Sequence, residues 1–147
     1  MTPSYAKASD QKTMGTSGGT FTSGAWRTRT LNTEDSDVDG VLTLASNQIT
    51  LSAGTYICSI RAPGNYCDRH QPRLFNVTDT AVVLLGNSNL SQATTTYATI
   101  TGKFTIAAGK ALEVQHRCQT TKATDGFGVE ANFTTEVYTE AEFWKVG

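Results

Sequence analysis

One local pattern occurs twice in this chain. Ile49-Thr50-Leu51-Ser52-Ala53-Gly54-Thr55-Tyr56 and Phe104-Thr105-Ile106-Ala107-Ala108-Gly109-Lys110-Ala111 each place an alternating apolar run before a small-residue turn with glycine and a second extended run. An Ala-Gly step lets the backbone reach positive φ between two period-two segments, which a helix would not need. The pattern predicts an all-β chain and by itself indicates architecture, not chemistry. From Thr20 onward β-branched and aromatic residues alternate with polar ones, and turn signals recur about every 8–12 residues, as in a sandwich or barrel. Strands are predicted over 25–32, 41–44, 48–51, 55–61, 70–77, 81–85, 95–106, 111–119, 128–133 and 136–146, with an acidic loop at 34–40. No segment carries a helical face of ordinary length, and threonine recurs where a helix would favour Ala, Leu, Glu or Lys. A two-sheet antiparallel sandwich follows.

Residues 1–19 are polar and show neither a 3.6 nor a 2 period, so they read as a non-globular N-terminal arm before a single domain at 20–147. At 147 residues, one domain can bury roughly 68–70% of its unfolded surface without disulfides or metals. The net charge of −1 supplies no field for nucleic acid or an acidic membrane, and no run approaches the ~18 apolar residues of a membrane span. The start lacks a charged and then apolar leader, which places synthesis in the cytosol. Cys58, Cys67 and Cys118 are odd in number and irregular in spacing, so reduced thiols are expected, with a Cys58 to Cys67 bridge across the Pro63-Gly64 turn as the alternative. Three glycosylation-type triplets at Asn76, Asn89 and Asn132 carry no weight without a secretory signal.

The order of elements resembles the jelly roll shared by tumour necrosis factor and the globular heads of complement and collagen-type trimers. The matching parts are Ala53-Gly54-Thr55-Tyr56, Val82-Val83-Leu84-Leu85-Gly86, Gly102-Lys103-Phe104 leading to Ala108-Gly109 and Leu112-Glu113-Val114-Gln115, Gly126-Phe127-Gly128-Val129, and the terminal strand. Gln115-His116-Arg117-Cys118, then Gly126-Phe127-Gly128 and Glu136-Val137-Tyr138, is similar to tail, fibre and head-decoration proteins of tailed bacteriophages that carry this domain. The resemblance implies a homotrimer, packed through the sheet that holds the first, third, sixth and last strands. With 111–119 taken as the sixth strand, Leu112, Val114 and Leu74 form the core phase and Glu113, Gln115, Arg117, Gln71, Arg73 and Phe75 face outward. In the last strand Val137, Ala141 and Phe143 suit the core, leaving Tyr138, Glu140, Glu142 and Trp144 outward. The expected trimer seam has Arg73 and Arg117 meeting Glu140 or Glu142, with Phe75, Tyr138 and Trp144 as its apolar part; solvated sheet faces are the alternative.

Two clusters invite a metal. Asp35, Asp37 and Asp39 before Gly40 have the opening spacing of a calcium loop, but the twelfth position is Ser46, so a solvated acidic loop is favoured over calcium. Cys67 and His70 precede one strand while His116 and Cys118 end its expected neighbour, a set that could hold zinc, although buried thiols and a hydrogen-bonded histidine are the favoured reading. No cofactor is expected. Nucleophile-elbow, phosphate-loop and zinc-protease motifs are all missing from the sequence, and Cys118 beside His116 lacks dyad geometry, so no enzyme is expected.

The expected function is that of a bacteriophage virion structural protein, made in the host bacterial cytoplasm. It would be a trimeric jelly roll fixed by its arm, with Tyr5, Lys7 and Lys12 lying along the major capsid protein or a tail component, most plainly as a head-decoration or cement protein. The alternative is a tail-fibre or tail-tip module that recognises a host surface glycan or protein through loops 62–69 or 120–127, where Tyr66 and Phe127 could stack on sugars.

Overall fold

A computed structural model describes residues 2–147 and holds twelve strands, with no helix among the described residues. They are β1 (Ser4–Lys12), β2 (Arg27–Thr28), β3 (Thr33–Asp37), β4 (Leu42–Ala45), β5 (Gln48–Leu51), β6 (Gly54–Asn65), β7 (Asp68–Asn76), β8 (Ala81–Leu85), β9 (Asn89–Ser91), β10 (Thr95–Ile106), β11 (Ala111–Cys118) and β12 (Glu136–Lys145). One sheet runs β10-β6-β12-β1-β3 and the other β4-β5-β11-β7-β8, with β2 added to β11 and β9 to β7. All pairings are antiparallel, and the two sheets close on one core, as the alternating pattern requires. Tyr56, Cys58, Ile60, Ile100, Phe104, Ala141 and Phe143 enter it from the first sheet and Ile49, Leu51, Leu74, Leu112 and Val114 from the second. Burying each large apolar side chain contributes about 1.5–3 kcal/mol.

Both Ala-Gly turns join strands of different sheets, β5 to β6 and β10 to β11. Their glycines serve different needs. Gly109 takes φ of 77°, which the turn demands of it, whereas Gly54 lies against the chain's end, where an added Cβ would meet the Gly147 carbonyl at 2.6 Å.

Residues 4–12 are not an arm. They form β1, an inner strand of the first sheet, paired from Ser4↔Lys145 to Lys12↔Glu136 on one side and with β3 on the other. Ala6 and Ala8 are fully buried while Tyr5 and Lys7 face out, so period two was present but carried by alanines too small to register as an apolar stripe. Tyr5, Lys7 and Lys12 are therefore already engaged within the sheet, not free for a neighbour. β1 also needs a partner on its far edge, and Thr33–Asp37 supplies it from within what reads as the acidic loop. The strand expected over 25–32 shrinks to β2, whose run along β11 ends where the Arg29 N–H donates to the Val114 carbonyl at 2.8 Å.

Two further expectations fail for local reasons. Between Ser9↔Glu140 and Gln11↔Val137 the register shifts, so Tyr138 and Thr139 both turn inward. Tyr138, expected outward, is buried and donates its hydroxyl to the Thr16 carbonyl at 2.6 Å; Val137, expected in the core, is exposed. Residues 128–133 form no strand, since the Ala131 and Asn132 N–H groups donate to the Glu136 carboxylate at 2.8 and 3.1 Å rather than to a neighbouring strand.

Candidate functional site

The end of the sandwich beyond the aliphatic core is organised by a buried cation that the sequence reading missed. Arg29 is 1% exposed and, among the described residues, forms no ion pair. It donates to the Pro63 carbonyl at 2.9 Å, the Phe127 carbonyl at 2.8 Å and Thr139 Oγ1 at 2.7 Å, and its guanidinium lies 4.1 Å from the Phe127 ring centroid. Burial lowers its pKa to about 9, so it stays charged at neutral pH. One side chain thus ties β6, β12 and the 120–135 loop together.

Beside it His116 is fully buried, its ring tilted against Phe21 at 4.7 Å between centroids, with Nε2 2.8 Å from His70 Nδ1; His70 Nε2 in turn meets Thr96 Oγ1 at 2.8 Å. Burial first, and then the Arg29 charge, lowers the His70 pKa to about 4 and holds His116 well below its ordinary value. Between pH 6.5 and 4 the unfolded chain takes up protons that the fold refuses. Stability is therefore complete above the unfolded pKa and declines as pH falls through this window, by about 1.4 kcal/mol per pH unit for His70, with His116 acting in the same direction. The midpoint of thermal unfolding is expected to drop steadily from pH 7 toward pH 4.5, with a shallower slope in His70→Gln; identical slopes in the two proteins would contradict this assignment.

On the outer face of the first sheet, Lys7 Nζ bonds Glu140 at 3.0 Å and Arg61 pairs with the other oxygen of the same carboxylate. Burial works against this carboxylate, yet Lys7 and Arg61 together hold its pKa below the usual range. Tyr5 donates to Glu142 at 2.8 Å and packs its ring 5.4 Å from Trp144; burial and this carboxylate raise its pKa to about 12. Ile57, Tyr97 and Val137 stand beside this network with 44%, 52% and 43% exposure. Tyr97 and Val137 edge a hollow of about 380 Å³, and Phe133, 88% exposed, projects from the 128–135 loop that forms its rim.

The expected seam residues do not assemble. β7 and β11 belong to the second sheet, so Arg73, Phe75, Glu113, Gln115 and Arg117 lie on the opposite face of the sandwich from Glu140, Glu142 and Trp144. The strand that plays the sixth-strand part beside β6, β12 and β1 is β10, not 111–119. Moreover, Arg73 is satisfied at home: it donates to Gln115 at 2.8 Å and lies 4.2 and 4.3 Å from the Trp26 and Phe75 ring centroids. Glu113 accepts from Thr28, Gln48 and Gln115. The outward phase assigned to these strands is nonetheless correct, as is the burial of Leu74, Leu112 and Val114.

Neither metal cluster converges. Asp37 accepts from the Val41 and Leu42 N–H groups at 2.7 and 3.1 Å, Asp35 accepts from Gln11 at 2.8 Å, and Asp39 is exposed. His70 and His116 bond each other while the Cys67 and Cys118 thiols form a separate buried pair. Among the described residues no group of three or more His, Cys, Asp or Glu side chains could hold a metal ion. Cys58 is also a free buried thiol, lying on a different strand from either, so the Cys58 to Cys67 bridge is not formed.

No family model and no curated protein sequence matches the chain. Solved structures do. Murine APRIL at pH 5.0 superposes with a TM-score of 0.65 at 8% identity over 98% of this chain and 99% of that one. The globular domain of zebrafish complement 1qA protein gives 0.59 at 12% over 99% and 98%. The phage PRD1 vertex protein P5 gives 0.64 at 13% over 100% and 99%. With this sheet order and these neighbours, the fold is a jelly roll of the tumour-necrosis-factor type.

Proposed function

We propose that this chain is a bacteriophage virion structural protein, without catalytic activity, that acts as a homotrimer and decorates the surface of the particle. The observation that carries the assembly is the outer face of the first sheet, where Ile57, Tyr97 and Val137 stay exposed next to a charge set that is mostly satisfied. Lys7 and Arg61 pair with Glu140 and the Tyr5 hydroxyl covers Glu142, while Lys103, exposed across from Ile57 and without an ion pair among the described residues, calls for an acidic group from the neighbour. A bare Phe133 beside the hollow at Tyr97 and Val137 fits a head-to-tail contact of the kind that closes a ring. Whole-length likeness to a phage vertex protein supports the virion setting. Because residues 4–12 are built into the sheet, attachment to the major capsid protein or a tail component falls to surfaces other than Tyr5, Lys7 and Lys12. Immunogold labelling of intact particles of the encoding phage tests the setting. Label on the head is the expected result; particles that lack the chain altogether would overturn the reading.

A further inference from the structure

The second sheet carries a feature that trimer formation through the first sheet leaves untouched. A groove of about 630 Å³, within the size range of small-ligand sites, crosses the ends of β7 and β11. Arg117 stands opposite Gln71, and the Gln119 N–H donates to the Arg69 carbonyl, so two arginine and glutamine pairs alternate diagonally across adjacent strands. Trp26 closes one side and Leu90 the other.

The charge of this groove is one-sided. No Asp or Glu lines it, and among the described residues neither Arg69 nor Arg117 forms an ion pair; the single side-chain bond of Arg117 is a 3.5 Å contact to the Gly24 carbonyl. Asp68, in the adjoining hollow, accepts from Thr120 at 2.6 Å. The polar groups are also held in place. Gln71 gives one amide N–H to the Gly86 carbonyl at 2.9 Å, which leaves its oxygen free, and Gln119 leans its oxygen toward the Arg69 N–H at a long 3.4 Å, which leaves its amino group free. The Trp26 ring is fixed by Arg73 at 4.2 Å.

We infer that this groove binds a carboxylated saccharide. Two free guanidinium groups suit a carboxylate, since planar forks make bidentate charge-assisted bonds. Fixed amide donors and acceptors suit hydroxyl groups, which both give and take hydrogen bonds, and an indole suits the apolar face of a sugar ring. Such prior fixing reduces the ordering cost of binding. A nucleic acid is the weaker match, because the groove has no lysine and the chain has a net charge of −1.

Isothermal titration of the full chain with trigalacturonate and with 3′-sialyllactose tests the inference, with galactotriose as the neutral control and a heptaglutamate peptide and a short oligothymidylate as other anions. At least one acidic saccharide is expected to saturate the protein at millimolar concentration or below and to outcompete the neutral one. Arg69→Gln and Arg117→Gln should each weaken it about tenfold or more, consistent with the loss of a charge-assisted bond. Both arginines are exposed, so these variants keep the fold, and Lys110→Gln, at the other end of β11, should bind as the parent does. No saturation by either acidic saccharide, or equal affinity for the peptide or the oligonucleotide, would overturn the inference. Either result leaves the trimer face unaffected, since that face lies on the opposite sheet.

Discussion

Replacing Arg29 with alanine is expected to destabilise the fold by about 3–5 kcal/mol, enough to unfold a domain whose total stability lies near the bottom of the usual range of about 5–15 kcal/mol. The substitution strips the Pro63 and Phe127 carbonyls and Thr139 Oγ1 of their donor and leaves a void against the Phe127 ring. Each buried acceptor without a partner costs about 1–3 kcal/mol, and the removed side chain is one of the largest that are fully buried. Arg29→Lys keeps the charge but not the fork, so it should recover only part of the loss. Urea denaturation of the three proteins measures this. An alanine variant within 1 kcal/mol of the parent, roughly the effect of an ordinary surface change, would remove Arg29 from its place at the centre of this end of the sandwich.

A second large effect is expected at Ile57. It points away from the core, on the exposed face of the first sheet, so Ile57→Glu should leave the monomer fold intact while placing a further charge, across from Lys103, in the proposed contact of every subunit. Taking such a charge out of water costs about 3 kcal/mol or more even beside a partner, which is at least a hundredfold in association. Phe75→Glu, on the outer face of the second sheet, is the informative comparison and should leave the oligomer unchanged. Sedimentation velocity separates the cases. If Phe75→Glu dissociates the protein and Ile57→Glu does not, the seam lies on the face first expected from sequence.

These two sites show where the sequence was legible and where it was not. The sandwich could be read because long strands alternate over most of their length, β6 from Thr55 to Ala62 and β10 from Tyr97 to Ile106, through a register that never slips. β1 was hidden because its inward residues are Ala6 and Ala8, and the phase of β12 was lost at a bulge, which inverts every side chain beyond it and leaves no mark in Glu136-Val137-Tyr138-Thr139. Placing 111–119 in the wrong sheet moved a correct outward phase to the wrong side of the molecule. Arg29 had no signal at all, since an arginine between threonines reads as surface until the topology brings three acceptors around it. Ile57 and Tyr97 could have been found: each alternates with core residues in a predicted strand and so falls on the outer face as an apolar residue among polar ones.

The central claim is that three copies assemble through the face bearing Ile57, Tyr97 and Val137. Light scattering coupled to size-exclusion chromatography, at micromolar protein, tests it most directly. The expected mass is three times that of the 15.8 kDa chain. A mass equal to the single chain at that concentration would contradict it.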